Sequence, residues 1–197
     1  MSDKELQEIK ELYPIDTRIK LLKDMDDERL KAGATGRVTH VDDIGTIHMD
    51  WDCGSSLGLI VGKDEFEIEK IKVILVEVGE DPKVIEIVNS LEAKQEKVGG
   101  NIEVVPTFFS NEESYDFVMN EEWRIFNFTF NRYIWDKQDK IGGTFMVIKA
   151  DEQTGEFIDM SVEETEFLIN QIKEKCPPYP TEKQLYNEEI EQEEIGK

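Results

Sequence analysis

Most side chains in this sequence that could carry out chemistry are carboxylates, and many of them occur in pairs. The pairs are Asp26-Asp27, Asp42-Asp43, Asp50 with Asp52, Glu112-Glu113 and Glu121-Glu122. Two carboxylates on facing strands can hydrolyse a glycoside or hold Mg²⁺. The chain contains 45 Asp and Glu among 197 residues, however, so such pairs are expected by chance. The pairing alone gives little support to a catalytic or metal site.

Histidine and cysteine offer few other routes to catalysis. His40 and His48 lie near Asp50 and Cys53, but their spacing fits no zinc motif, and a ligand set would need several strands. We interpret both histidines as exposed strand residues, and Cys53 beside a histidine is only a weak nucleophile candidate. The phosphate-binding patterns GxxxxGK[ST] and GxGxxG are absent. The sequence therefore predicts a protein that is not an enzyme and has no metal or cofactor.

One polar pair, Asn131-Arg132, stands among aromatic residues. The neighbouring aromatics are Phe128, Phe130, Tyr133 and Trp135. The pair could line a pocket or buttress a sheet, and we favour the structural interpretation.

The charge of the chain restricts its partners. The 45 acidic residues outnumber 23 basic residues, which gives a formal net charge of −22. Such a charge repels nucleic acids and anionic membranes, whose ligands need Lys and Arg, and it suits a basic partner. Solubility alone is the simpler explanation, but it requires a net charge of only about 2–8 in a small domain. We expect a basic protein partner and no direct binding to nucleic acid or membrane.

The elements that position these residues begin with a helix over residues 1–12. Alternating apolar residues and glycine turns then predict five short strands, centred on Gly36–Leu59, which form a small SH3-like β-barrel over residues 13–70. In that stretch Asp42-Asp43-Ile44-Gly45 predicts a turn.

An α+β domain is predicted for residues 71–176. Ile71–Val78 is typical of a central strand buried on both faces. Asp81 and Pro82 predict the start of a helix that ends at Gly99. Ser161 and Glu164 predict a capping box and a last helix running to about Lys175. Residues 177–197 form an acidic tail with a marginal helix, so the fold class of the whole chain is α+β.

Several features favour a soluble protein of the cytoplasm. The first residues, Met1-Ser-Asp-Lys-Glu, lead directly into a charged helix, and no apolar run approaches the ~20 residues of a membrane span. Cys53 and Cys176 lie far apart, and we expect reduced thiols.

Two stretches resemble uncharacterised families found in phages, plasmids and conjugative elements of Gram-positive bacteria. The first covers about residues 13–69 and is carried by Gly36-x-Val38, Val41-Asp42-Asp43-x-Gly45-x-Ile47, Trp51-Asp52-x-Gly54-x-x-Leu57 and Asp64-x-Phe66. The second covers about residues 71–173 and is carried by Glu77-Val-Gly79, Val98-Gly99-Gly100-x-Ile102-Glu103, Asn120-Glu121, Asn131-Arg132 and Gly143-Thr144-Phe145. The resemblance implies an accessory protein of a mobile element. Small acidic accessory proteins of this kind are often anti-CRISPR or anti-restriction inhibitors.

Together, charge and resemblance predict a DNA mimic that occupies the basic nucleic-acid-binding site of a host defence protein, such as a CRISPR or restriction nuclease. Carboxylates can satisfy the arginine forks that otherwise bind phosphate or guanine. The predicted contact residues are acids of the barrel loops and of the tail. They are Asp24, Asp26, Asp27, Glu28, Asp42, Asp43, Glu188, Glu189, Glu191, Glu193 and Glu194. The alternative is a non-enzymatic adaptor in phage or plasmid maintenance, whose barrel binds a protein segment.

Overall fold

The computed structural model describes residues 2–110, 112–134 and 138–180. The first part of the chain contains one helix and five strands. They are α1 (Asp3–Leu12), β1 (Arg18–Leu21), β2 (Thr35–Val41), β3 (Thr46–Trp51), β4 (Leu59–Ile60) and β5 (Phe66–Ile68). Ser2 and Glu5 form a capping box at the start of α1, so the predicted N-terminal helix is confirmed.

The five predicted strands form one antiparallel sheet in the order β4-β3-β2-β1-β5. Within the part of the chain that the structure describes, the edge strands β4 and β5 do not pair with each other, so a closed barrel is not shown. Gly36 allows close packing in this sheet, because a Cβ atom there would lie 2.7 Å from the Asp50 carbonyl oxygen and 2.8 Å from the Trp51 Cα.

The second part adds two helices and eight strands. They are β6 (Lys70–Val76), β7 (Lys83–Val88), α2 (Leu91–Val98), β8 (Ile102–Pro106), β9 (Ser114–Asn120), β10 (Phe130–Ile134), β11 (Asp139–Gly142), β12 (Phe145–Ala150), β13 (Phe157–Ile158) and α3 (Val162–Lys175). Antiparallel strands form a sheet in the order β7-β6-β12-β9-β8, with β13 also paired to β12, and β10 and β11 form a separate hairpin. The α+β class is confirmed. None of the helices in the described ranges has the length and apolar character needed to cross a membrane.

The helix predicted from Asp81 to Gly99 is wrong in its first half. Lys83–Val88 forms β7, which pairs with β6 over the full register from Lys70↔Val88 to Leu75↔Lys83. This segment is rich in Val and Ile, which favour strands when a partner is available. The helix begins only after Ser90, whose side chain accepts a hydrogen bond from the Ala93 amide, and it ends at Gly99 with φ 76°.

The second sheet is buried on both faces, as predicted for its central strand. Ile71, Val73 and Leu75 of β6 face the cluster that includes Val98 of α2. Ile74 and Val76 of the same strand belong to the opposite cluster, which includes residues of α3. The predicted capping box at Ser161 and Glu164 is also present. The first sheet has its own core around Ile19, Val38 and Trp51.

Candidate functional site

Two of the predicted loop acids hold the acidic loop between β1 and β2 together. Asp24 accepts a hydrogen bond from the Ala32 amide at 2.9 Å and pairs with Lys31 at 3.3 Å. Asp27 accepts hydrogen bonds from the Arg29 amide and guanidinium and from the Ser55 hydroxyl. The bonds from Arg29 are the main cause that lowers the pKa of Asp27 below its ordinary value. Both carboxylates are therefore occupied within the fold.

Asp42 is likewise engaged in the turn between β2 and β3. Its Oδ1 accepts hydrogen bonds from the Ile44 amide at 3.1 Å and the Thr46 amide at 2.9 Å. His48 Nε2 lies 3.0 Å from its Oδ2. The hydrogen bond with His48 and the two amides lower the pKa of Asp42 to about 2, against a smaller opposing effect of desolvation. Its carboxylate organises the turn.

The remaining predicted loop acids are exposed. Asp26 and Glu28 lie in the loop before β2. The Asp43 side chain is 96% exposed and pairs with Lys10 of α1 at 3.2 Å. These three carboxylates are available to a partner. The predicted tail acids, Glu188 to Glu194, lie outside the described residues.

The cations of the first sheet are neutralised by its own acids, a feature that sequence reasoning missed. Arg18 is 7% exposed and forms a two-pronged bond with Asp52, at 2.9 and 2.6 Å, and a longer one with Glu69 at 3.4 Å. Lys20 and Lys23 face glutamates of β5 and of the turn before it. The sequence did contain a signal for this pairing. Basic residues alternate with apolar residues in β1, and glutamates alternate with apolar residues in β5, as expected for two neighbouring strands whose charged side chains meet.

The pair Asn131-Arg132 lies in β10 and is buried. Asn131 Nδ2 donates to the carbonyl oxygens of Val76 at 2.9 Å and Gly143 at 2.8 Å, which ties the β10–β11 hairpin to the second sheet. Arg132 donates to the Glu80 carbonyl oxygen at 2.6 Å. These contacts support the structural interpretation for Asn131.

The same pair also lines a pocket, so the second interpretation applies as well. The pocket has a volume of about 320 Å³ and lies between the β6–β7 turn, the start of β10 and the segment after α3. Its lining includes Glu80, Asp81 and Tyr179, none of which we predicted as site residues. The Pro-Pro-Tyr-Pro sequence at 177–180 was the signal that could have predicted this wall of the pocket. It ends α3, and the chain then runs antiparallel to β10, with Pro178 paired to Arg132.

The histidines and cysteines form no metal cluster within the described ranges. The His40 and His48 rings stack at 4.2 Å between centroids, and His40 is exposed as predicted, whereas His48 is half-buried. Cys53 is exposed and Cys176 is buried, both as free thiols. Burial raises the pKa of Cys176 to about 12, so it remains a neutral thiol near neutral pH.

Fold and site define an acidic α+β protein with two antiparallel sheets, a self-neutralised first sheet and a pocket on the second. Residues 71–175, more than half of the chain, match the model of a family described as Domain of unknown function (DUF3846), and the chain belongs to that family. Residues 2–69 match a second model, described as Domain of unknown function (DUF4314). No match was found among curated proteins or among solved structures.

Proposed function

We propose that this protein binds a basic nucleic-acid-binding protein and blocks the site that would hold DNA or RNA. The observation that carries the proposal is the excess of carboxylates over cations. With 45 acids and 23 bases, 22 carboxylates have no cation in the chain to pair with. An excess of this size attracts a cationic groove and raises the rate of association.

The placement of the cations supports this proposal. Arg18, Arg29, Arg37 and Arg124 all pair with carboxylates of the chain itself. Arg37, for example, contacts both Asp16 and Glu156. A nucleic-acid-binding surface needs rows of free Lys and Arg, whereas these arginines are already engaged. The surface that remains for a partner is negative.

The biological setting of the proposal is a mobile element acting against a bacterial host. The resemblance of both parts to families of phages and plasmids supports an inhibitor of a CRISPR or restriction nuclease in the host cytoplasm. We also propose that the first sheet is an SH3-like module, on the basis of its five short strands and glycine turns. Its loops would present the acids to the target, and no catalysis is involved.

A capture experiment with two matched charge variants tests the proposal. The first variant combines Asp26→Asn, Glu28→Gln and Asp43→Asn, which removes the exposed loop acids of the first sheet. The control combines Glu92→Gln, Glu122→Gln and Glu152→Gln, which removes the same charge from exposed positions in the second part. Tagged wild-type and variant proteins are incubated with nuclease-treated bacterial lysate and washed at low and at high salt.

The expected captured protein itself binds DNA, is released by high salt and is displaced by added duplex DNA. The loop variant should capture much less of it than the control variant does, because the two proteins differ only in where the charge was removed. Capture that resists high salt and duplex DNA contradicts mimicry. Equal loss in both variants shows that net charge alone, and not these loops, governs binding.

The alternative adaptor function is favoured by one observation, an apolar groove beside α1. The groove has a volume of about 560 Å³, and its lining includes Ile9, Leu12, Tyr13 and Val61. Leu12 is 56% exposed and Val61 41% exposed. An adaptor that binds a protein segment here should retain its partner at high salt and lose it in the Leu12→Gln variant. If the protein acts as a DNA mimic, the Leu12→Gln variant should capture as much partner protein as the wild type does.

A further inference from the structure

Arg132 is the most buried arginine of the chain and the only one for which the described residues supply no carboxylate. It is 4% exposed, and its guanidinium donates one hydrogen bond, to the Glu80 carbonyl oxygen. Its Nε atom has no partner. The other four arginines all reach carboxylates, although three of them are more than 30% exposed. In a chain with a net charge of −22, a buried cation left without a carboxylate in contact requires an explanation.

Burial does not remove this charge. It lowers the pKa of the Arg132 guanidinium, with Asp81 opposing the effect, but arginine remains protonated in proteins. A buried guanidinium normally has its five N–H donors bonded to carboxylates, carbonyls or water. Since Arg132 lines the 320 Å³ pocket, an anion placed there would give its guanidinium a counter-ion and further acceptors.

The walls of the pocket beside Arg132 are aromatic. The rings of Phe130 and Tyr179 lie 4.9 Å apart between centroids, and Phe128 also lines the space. The main chain at Tyr179 is fixed against β10, because its amide donates to the Asn131 carbonyl oxygen at 2.9 Å. Lys140 is not part of the lining, but its Nζ lies 3.5 Å from the Phe130 ring centre and 5.1 Å from the Tyr179 ring centre. The volume lies at the lower end of the range of small-molecule sites, about 300–1,000 Å³.

The acidic residues at the pocket limit the charge of its ligand. Glu80 and Asp81 are exposed residues of the lining, and Asp81 lies 3.9 Å from Lys173 at its nearest oxygen. Two carboxylates would repel a multiply charged group such as phosphate more strongly than a group with one negative charge. A planar carboxylate also matches the fork of N–H donors that a guanidinium presents.

We propose that this pocket binds a small organic acid, with its single carboxylate on Arg132 and its flat apolar body against Phe130 and Tyr179. The site is independent of the inhibitor function proposed above, because it lies on the second part of the chain and uses none of the loop acids.

The test uses the full chain labelled with ¹⁵N and three probes: benzoate, its neutral counterpart benzamide, and inorganic phosphate. Amide shifts are followed by NMR during titration. Benzoate should bind at least about tenfold more tightly than benzamide, because only benzoate forms the charge-assisted pair with Arg132. Its largest shifts should fall on the amides of Gly79, Thr129 and Tyr179. Equal affinity for benzoate and benzamide, a preference for phosphate, or shifts centred elsewhere would overturn the proposal.

Two variants separate the pocket from the overall charge. Arg132→Lys keeps the charge but loses the planar fork, and it should weaken benzoate by about tenfold. Arg29→Lys makes the same exchange in the loop between β1 and β2 and should leave benzoate binding unchanged. Equal weakening in both variants refutes the assignment. Should Arg132→Lys fail to fold, Tyr179→Ala removes a half-buried wall and should weaken both benzoate and benzamide. Unchanged affinity for both ligands in Tyr179→Ala contradicts the proposed pose.

Discussion

Lys94 of α2 is 3% exposed, and its environment makes the stability of the protein depend on pH in a specific way. Its Nζ donates to Asn89 Oδ1 at 2.8 Å and to the Ser90 carbonyl oxygen at 3.1 Å, and lies 5.2 Å from the Phe157 ring centre. All these partners are neutral. The ammonium group is therefore buried without a carboxylate in contact, near the point where the first sheet meets the second.

Burial lowers the pKa of Lys94 from 10.5 to about 8. Asp16 and Glu69 favour the charged form and Arg18 and Arg37 oppose it, so the nearby charges largely offset one another. Below about pH 8 both the folded and the unfolded chain carry the proton. Between the two pKa values only the unfolded chain holds it, so the free energy of unfolding rises with pH. A difference of roughly 2.5 pKa units corresponds to about 3 kcal/mol.

The assay compares urea unfolding of wild type and Lys94→Met at several pH values. Taking the difference between the two proteins removes the titration of every other group. The free energy of unfolding of the wild type, relative to the variant, should rise by about 3 kcal/mol between about pH 7.5 and about pH 10.5. Lys97→Met, on the same helix, is the control for the loss of one lysine from α2. A constant difference between wild type and Lys94→Met would show that the folded protein holds this proton as firmly as the unfolded chain does.

Two further predictions concern the first sheet. Gly36→Ala should lower the free energy of unfolding by roughly 1–3 kcal/mol, because the new Cβ would lie 2.7 Å from the Asp50 carbonyl oxygen and 2.8 Å from the Trp51 Cα. Urea unfolding measures the loss, and an unchanged midpoint would mean that the strands move apart freely. The Asp42 carboxyl should titrate at about pH 2, because its bonds with His48 and two turn amides favour the carboxylate. The stability that this group contributes is thus complete above the ordinary aspartate pKa and disappears as pH falls through about 2. Titration of the Asp42 carboxyl by ¹³C NMR measures this pKa, which should return towards the ordinary aspartate value in the His48→Ala variant.

The end of α2 at Gly99 and the start of α3 could be predicted from the sequence because they depend on neighbouring residues. At α3 the Ser161 hydroxyl accepts from the Glu164 amide at 3.1 Å, while the Glu164 carboxylate accepts from the Ser161 amide at 2.7 Å. All the groups in this capping box lie within four residues. The structural role of Asp42 can also be predicted from the local sequence, since the amides that donate to it lie two and four residues ahead in the chain. The Asp-Asp-Ile-Gly pattern therefore indicates a turn-forming role for Asp42 in addition to the partner-binding role predicted from charge.

The strand β7 could not be predicted from its local sequence, which is also compatible with a helix. Val84, Ile87 and Val88 are compatible with one face of a helix, and Asp81-Pro82 resembles a helix start. The segment becomes a strand because β6 offers it six paired positions and an apolar face. Backbone hydrogen bonds of a helix lie within the segment, whereas those of a strand depend on a partner that the local sequence does not contain.

By itself, the sequence determined the charge of the protein, its α+β class, the capping box of α3 and the doubly buried strand β6. Only the tertiary structure decided which charges are free. It joined Arg18 to Asp52 across 34 residues of sequence and left Arg132 in a pocket wall with no carboxylate in contact and its Nε without a partner. Ion pairs depend on distances of a few ångströms between residues far apart in the chain, and composition can count such charges but cannot place them.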